Sequence, residues 1–394
     1  MPTPPKHLLL PLALIACSTT EKGPIDDPWA DDAFVEEAHE AVEQYVHVVI
    51  ASYGASVAAA ELMAEDIEAF IADPNEATLA LAKLSWLAAR DIYGQTEVYR
   101  FYGGPIDVEP DGLEGRINSW PMDEAYIDYV EGDPNAGIIN DPTTYPKIDR
   151  ELLISLNTAA GEDSISTGWH AIEFLLWGQD QSPDGPGVRS DGDYHTTGEP
   201  SHPNPDRRAA YLGVVTQLLV DDLKAVNAAW AEGADYHEAF EHDQPPKDAL
   251  TKVLLGMGSL SGAELSGERM SVAFDTREQE DEHSCFSDNT HNDFIANARG
   301  IENVYLGRWD TSEGPSLSRL VATLDPELDS KLREQLAATN AAMAAIPAPF
   351  DQAIAAPDGS PEREAVAAAI AALKTQTGTI VEVATLLDIS LNLE

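Results

Sequence analysis

The segment Gly168-Trp169-His170-Ala171-Ile172-Glu173-Phe174-Leu175-Leu176-Trp177-Gly178 constrains this chain more than any other. It is almost wholly apolar, yet it carries a histidine and a carboxylate three residues apart. In a helix three residues advance about 300°, leaving the two side chains roughly 60° apart and one turn along. Both can then reach one point, as two ligands of one metal ion do. Trp169, Ile172 and Leu176 make one apolar stripe, and His170, Glu173 and Trp177 make the adjacent one. Burying the polar pair without partners would cost about 1–3 kcal/mol per unsatisfied group, and more if charged. Two readings follow: a buried His–Glu hydrogen-bonded network, or a metal or catalytic site.

The rest of the chain is helical in pattern, with alternating strand signals nearly absent, so the fold class is all-α. Ala33–Phe70 is rich in Ala and Glu and places Val42, Val46, Val49 and Tyr53 at helical spacing. Asp73-Pro74-Asn75 breaks it and caps a second helix, expected over Glu76–Phe101. Further helices are expected near 149–157, 166–177, 207–230, 249–265, 289–306, 326–346 and 361–387. Residues 178–206, full of Gly, Pro, Asp and Ser, read as one long surface loop. The turn at 70–76 is echoed at 354–360, each ahead of a long helix, which suits two helical-bundle domains related by duplication. The expected division is 33–206, carrying the His–Glu helix, and 207–394.

Charge narrows the partners. Sixty-nine acidic residues against 23 basic ones give a net charge of −46. Nucleic acid is excluded, because neutralising phosphates needs Lys and Arg. Solubility, salt tolerance or attraction of cations all fit. At the N-terminus, Lys6-His7 precede the apolar run Leu8 to Ala16, and Leu14-Ile15-Ala16-Cys17 closes it. This reads as an export signal over 1–17, too short to span a bilayer. It resembles a bacterial lipoprotein signal with Cys17 as the lipidated residue and 18–32 as a tether. Cleavage there would leave Cys285 without an intrachain partner.

Three segments add chemistry. Tyr93, Glu97 and Arg100 would share one face of the second helix, with Glu97 either buried or paired with Arg100 at the surface. Gly115-Arg116-Ile117-Asn118 offers Arg116 to a buried carboxylate or an anionic ligand. Glu278 through His291 packs Glu280, Asp281, Glu282, His283 and Cys285 into a short span, donors that suit iron or zinc, or else form an acidic loop before a helix cap. A near miss is His237-Glu238-Ala239-Phe240-Glu241-His242. Its second histidine falls five residues after the first, not four, so the two would share a helix face poorly, and neither zinc-protease helix pattern fits.

Taken together, these segments resemble the imelysin-like family of bacterial envelope proteins. Its Gly-x-His-x-x-Glu signature is matched at Gly168, His170 and Glu173, with further matches at Tyr93–Phe101, Gly104-Pro105-Ile106-Asp107, Arg116-Ile117-Asn118 and Gln279 through His291. Glu280-Asp281-Glu282-His283-Ser284-Cys285 points to the iron-regulated branch. The resemblance spans about Ala33 to Glu394. It implies two all-α bundle-like domains with the His–Glu helix near their interface, iron-linked biology and an envelope location. The family is similar to the periplasmic lipoprotein of ferrous-iron uptake systems, where the His–Glu pair and an upstream glutamate are proposed ligands; Glu97 best matches that glutamate.

The expectation is a lipid-anchored periplasmic or outer-membrane protein that binds iron, or zinc, as a free ion or carried by a small molecule, alongside envelope transport components. Its membrane contact would be through the anchor alone. Ligands would be His170, Glu173, Glu97 and His283, with Arg116, Asp107, Glu280, Asp281 and Glu282 around the ligand. The alternative is a zinc metallopeptidase, the activity first described for the family, which would need a further ligand and a general base.

Overall fold

The computed structural model describes residues 27–393 except 109, 111, 184 and 199. The expected export signal over 1–17, with Cys17, lies outside the described residues. The fold is all-α: helices α1 (Asp32–Ala72), α2 (Glu76–Gly94), α3 (Arg150–Leu156), α4 (Gly168–Trp177), α5 (Pro205–Ala229), α6 (Asp235–Glu241), α7 (Pro246–Ser259), α8 (Thr290–Leu306), α9 (Leu317–Leu324), α10 (Pro326–Ala344), α11 (Phe350–Ala355) and α12 (Pro361–Leu386), with shorter turns between. The described residues include a single two-stranded ribbon, Arg308–Trp309 against Ser312–Glu313, with Arg308 opposite Glu313.

Local signals explain the helix starts. Asp31 caps α1 by accepting from the Ala33 N–H, and Asn75 forms a reciprocal capping box with Thr78 at the start of α2. The echoing turn caps α12 in one direction, where Ser360 accepts from the Arg363 N–H. Val42, Val46, Val49 and Tyr53 are all buried, so the 3.6-residue pattern of α1 marks its packing face. By length and apolarity α1 could cross a membrane, but here that face packs against α2 and α5.

Helix α4 lies against α2 and α5, and all ten of its residues are buried. Around it Trp86 donates to the Trp169 carbonyl, Tyr194 to that of Leu175, and Tyr211 to that of Ser166. The larger apolar core joins Trp86 and Phe174 to Leu212, Val253 and Ile301, so residues on both sides of 206/207 share it. A smaller core gathers Leu265, Met270, Phe294, Phe350 and Leu373.

Two expectations change. Helix α2 stops at Gly94 instead of running to Phe101. A Cβ on Gly94 would stand 2.7 Å from the Ala296 Cβ, and Asn297 takes the Gly94 carbonyl. Close approach of α8 therefore ends α2, and Glu97–Tyr99 forms a separate 3-10 turn. The 178–206 segment is also more than a surface loop. Arg189 and Asp193 are buried within it, and Asp128 binds both Arg189 (2.8 Å) and, through two oxygens, Arg208 (2.6 and 2.9 Å). Asp193 in turn accepts from the Tyr129 hydroxyl at 2.5 Å. Charges this deep persist because they are paired.

Candidate metal centre

Gly168 opens α4 with a φ of +90°, and a Cβ there would sit 2.5 Å from the Ile117 carbonyl oxygen. Only glycine lets the start of α4 pass this close to the 114–117 turn. That contact aims His170 and Glu173 into the interior, where they are 1% and 0% exposed.

His170 Nδ1 and Glu173 Oε2 are 2.9 Å apart, so the pair bonds to itself. The other Glu173 oxygen accepts from the Ser287 N–H (2.9 Å) and hydroxyl (2.7 Å). Burial pushes the Glu173 carboxyl up to about 8, against the pull of the Ser287 bonds. His170 is pushed well below its usual range by burial, Arg90 and His283.

His283 stands beside this pair, its ring centroid 4.8 Å from that of His170. Its Nδ1 lies 2.8 Å from Asp293 Oδ2, which also accepts from the Ser284 hydroxyl at 2.6 Å. Burial and Arg269 push His283 down to about 4. Burial opposes ionisation of Asp293, but Arg90 and the bonds from His283 and Ser284 outweigh it and hold the carboxyl well below the usual range. Both imidazoles are therefore neutral at neutral pH, the form a metal requires.

Between the rings lies Arg90. Its Nη2 is 3.5 Å from His170 Nε2, 3.2 Å from His283 Nδ1 and 3.2 Å from Asp293 Oδ2. A guanidinium only donates, so its contact with His170 fits a ring carrying its proton on Nδ1, toward Glu173, and a lone pair on Nε2. A permanent cation thus sits between His170 Nε2, His283 Nδ1 and Asp293.

Glu97 is 1% exposed and stands one step further out. Its oxygens meet Arg269 (2.5 Å) and Asn118 (3.2 Å), with Arg90 at 4.0 Å and Arg100 at 3.8 Å. Arg269 and Glu264 come from Leu260–Ser271, which continues α7 as a wider π-helical coil and brings these two residues, five apart, to 2.8 Å.

The remaining candidates scatter. Arg116 pairs through Nε and Nη2 with the two carboxylate oxygens of Asp222 in α5. Asp107 accepts from the Phe101 and Gly104 N–H groups and ties its own loop. Both line a separate cavity of about 680 Å³ with Arg100 and Glu114. Glu280 is exposed, and Asp281 accepts from Thr276 at 2.5 Å. Glu282 is fully buried, and burial beside Asp351, Asp288 and Asp180 pushes its carboxyl well up. Cys285 is a free thiol raised by burial.

Sequence reasoning missed Arg90, Asp293 and Ser287 as parts of this centre. Each lies in or next to one of those segments, but no local spacing marks Arg90 or Asp293 as facing inward. Only the packing of α2, α4 and α8 brings them together.

The Imelysin family model, which carries a peptidase designation, matches residues 49–380. The chain is 25% identical over 333 residues to "Iron-regulated protein A" of Synechococcus elongatus, covering 79% of this chain and 76% of that one. A crystal structure of a protein designated an iron-regulated protein A precursor, from Parabacteroides distasonis, superposes with a TM-score of 0.67 at 20% identity, covering 88% of this chain and 95% of that one. That last likeness establishes the fold alone. With the family model spanning most of its length, the chain belongs to the imelysin family.

Proposed function

We propose that this protein binds iron, or a similar divalent metal, for uptake or homeostasis in the cell envelope, held there by lipid on Cys17. The metal would bind among His170, His283 and the carboxylates around them. The observation that carries this reading is the pair of neutral imidazoles, each with Nδ1 on a carboxylate: Glu173 for His170 and Asp293 for His283. Metal-binding histidines are held this way, with the second nitrogen bonded to a carboxylate that fixes the tautomer and raises ligand basicity. Glu173 then acts by orienting His170, and Glu97 by balancing the charge of Arg269 and Arg90. Imidazole and carboxylate donors suit iron and zinc alike, and the name of the cyanobacterial relative favours iron.

Arg90 must withdraw from His170 before a metal enters, so binding is coupled to a side-chain movement. A peptidase reading has less support, since residues 0–2% exposed leave a peptide no approach without rearrangement. Anaerobic titration of chelator-washed, tag-free protein with ferrous ion tests the proposal. One equivalent should bind, and His170→Ala and His283→Ala should each weaken it at least about tenfold. Unchanged binding in both variants would sink it.

A further inference from the structure

The segment His237–His242 does not share the buried centre, yet its donors converge. His237, Glu238 and His242 offer ligand atoms that all lie within 4.8 Å of one another. Five residues along a continuous helix would put the two histidines about 140° apart. Here His242 is the C-cap of α6, with its N–H on the Glu238 carbonyl, and its side chain turns toward His237. Its ring swings back to 6.0 Å from that of His237.

Glu241 completes the group. One of its oxygens is 3.2 Å from His237 Nε2, and the other is 3.5 Å from His242 Nε2. His237 Nδ1 lies 2.9 Å from the Trp230 carbonyl, which can only accept. The ring proton therefore sits on Nδ1, and the Nε2 lone pair faces a carboxylate oxygen. Two acceptors face each other there, an arrangement relieved by a cation between them, either a proton or a metal ion. The base is rigid: Phe240, on the same short helix, is buried against Tyr45 and Trp230.

We infer that His237, Glu238, Glu241 and His242 form a second metal site, near the surface, for a borderline divalent ion such as zinc. Tetrahedral zinc with bonds near 2.0–2.1 Å needs donors about 3.3 Å apart; each imidazole already stands about that far from one of the two Glu241 oxygens, and the His237, Glu238 and His242 donors lie within 4.8 Å of one another. Partial exposure gives an entry path without rearrangement, because the His242 side chain is 55% exposed.

The test uses tag-free, chelator-washed protein carrying His170→Ala, which removes the buried imidazole and leaves this site intact. Zinc titration should show one equivalent bound. Adding His242→Ala or Glu241→Gln should lower that affinity at least about tenfold or abolish it. Substitution of the exposed His242 leaves the core untouched, and an unchanged melting temperature without metal verifies folding. Cobalt(II) gives an independent readout, since tetrahedral binding yields strong visible bands that His242→Ala should remove. Zinc and cobalt binding that persists unchanged in both added variants, or no binding in the His170→Ala background, would overturn the inference. Neither outcome bears on ferrous binding at His170 in the otherwise intact protein.

Discussion

His170 and His283 meet edge to face with ring centroids 4.8 Å apart, though one sits in α4 and the other in the loop before α8. Each Nδ1 is tied to a carboxylate within 3 Å, by Glu173 at 2.9 Å and by Asp293 at 2.8 Å. Arg90 stands between the rings but meets different edges of them, His170 through Nε2 and His283 through the Nδ1 it shares with Asp293.

Metal binding at His170 should depend on pH through its partner. Below about 8 the Glu173 carboxyl holds a proton, so His170 Nδ1 lacks the charged partner that raises the basicity of Nε2. Ferrous affinity should rise from pH 6 toward 8 and flatten above that. Titrations at pH 6, 7 and 8 check this, and a flat profile counts against the assignment.

Arg90 competes with a cation for these donors. Arg90→Gln should raise divalent affinity at least about tenfold, because a positive charge a few ångströms from the ion is removed. It should also lower stability, since Asp293 loses its main counter-charge. Calorimetric titration beside thermal melting separates the two effects.

Protein stability carries the signature of Glu173 as well. Its folded value of about 8 lies above the ordinary 4.5. The folded state thus keeps a proton that the unfolded chain releases, and this contribution is full below 4.5 and is lost as pH rises through 8. Wild-type protein should lose about 1–2 kcal/mol between pH 6.5 and 9 from this group, and Glu173→Gln should lack that loss. His283, lowered to about 4, acts oppositely and only in acid: its contribution is present above 6.5 and disappears as pH falls through 4. Urea unfolding at pH 6.5 and 9 on both proteins isolates the Glu173 part.

Gly168→Ala should destabilise the fold by more than about 1 kcal/mol, because its φ of +90° and a Cβ 2.5 Å from the Ile117 oxygen compound each other. Equilibrium unfolding measures the loss. A neutral result would mean that the start of α4 can shift away from the 114–117 turn.

Asp128→Ala should cost more, about 3–5 kcal/mol, since it leaves Arg189 and Arg208 buried without their shared carboxylate. Replacing the exposed Glu162, also an acid in a loop, should change stability by no more than about 0.5 kcal/mol.

Much of the helical framework was legible because amphipathic period and capping residues are local. Val42 to Tyr53 fixed the buried face of α1, and Asn75 and Ser360 fixed helix starts. The end of α2 was not legible, because Gly94 stops it through contact with Ala296, a residue far along the chain. For the same reason Glu97 did not join Tyr93 and Arg100 on one helical face, and Arg116 found its partner in Asp222.

By itself, then, the sequence determined an all-α chain with His170 and Glu173 spaced to meet and buried where they need partners. Helical period, capping and the cost of burying polar groups act over a few residues, and one chain segment reveals them. Tertiary structure alone decided who those partners are: Ser287 on Glu173, Arg90 between the two imidazoles, and Asp293 behind His283. It also brought His242 back toward His237, where helical spacing had set them apart. Such pairings depend on how distant helices approach and where each one ends, and no local spacing encodes that.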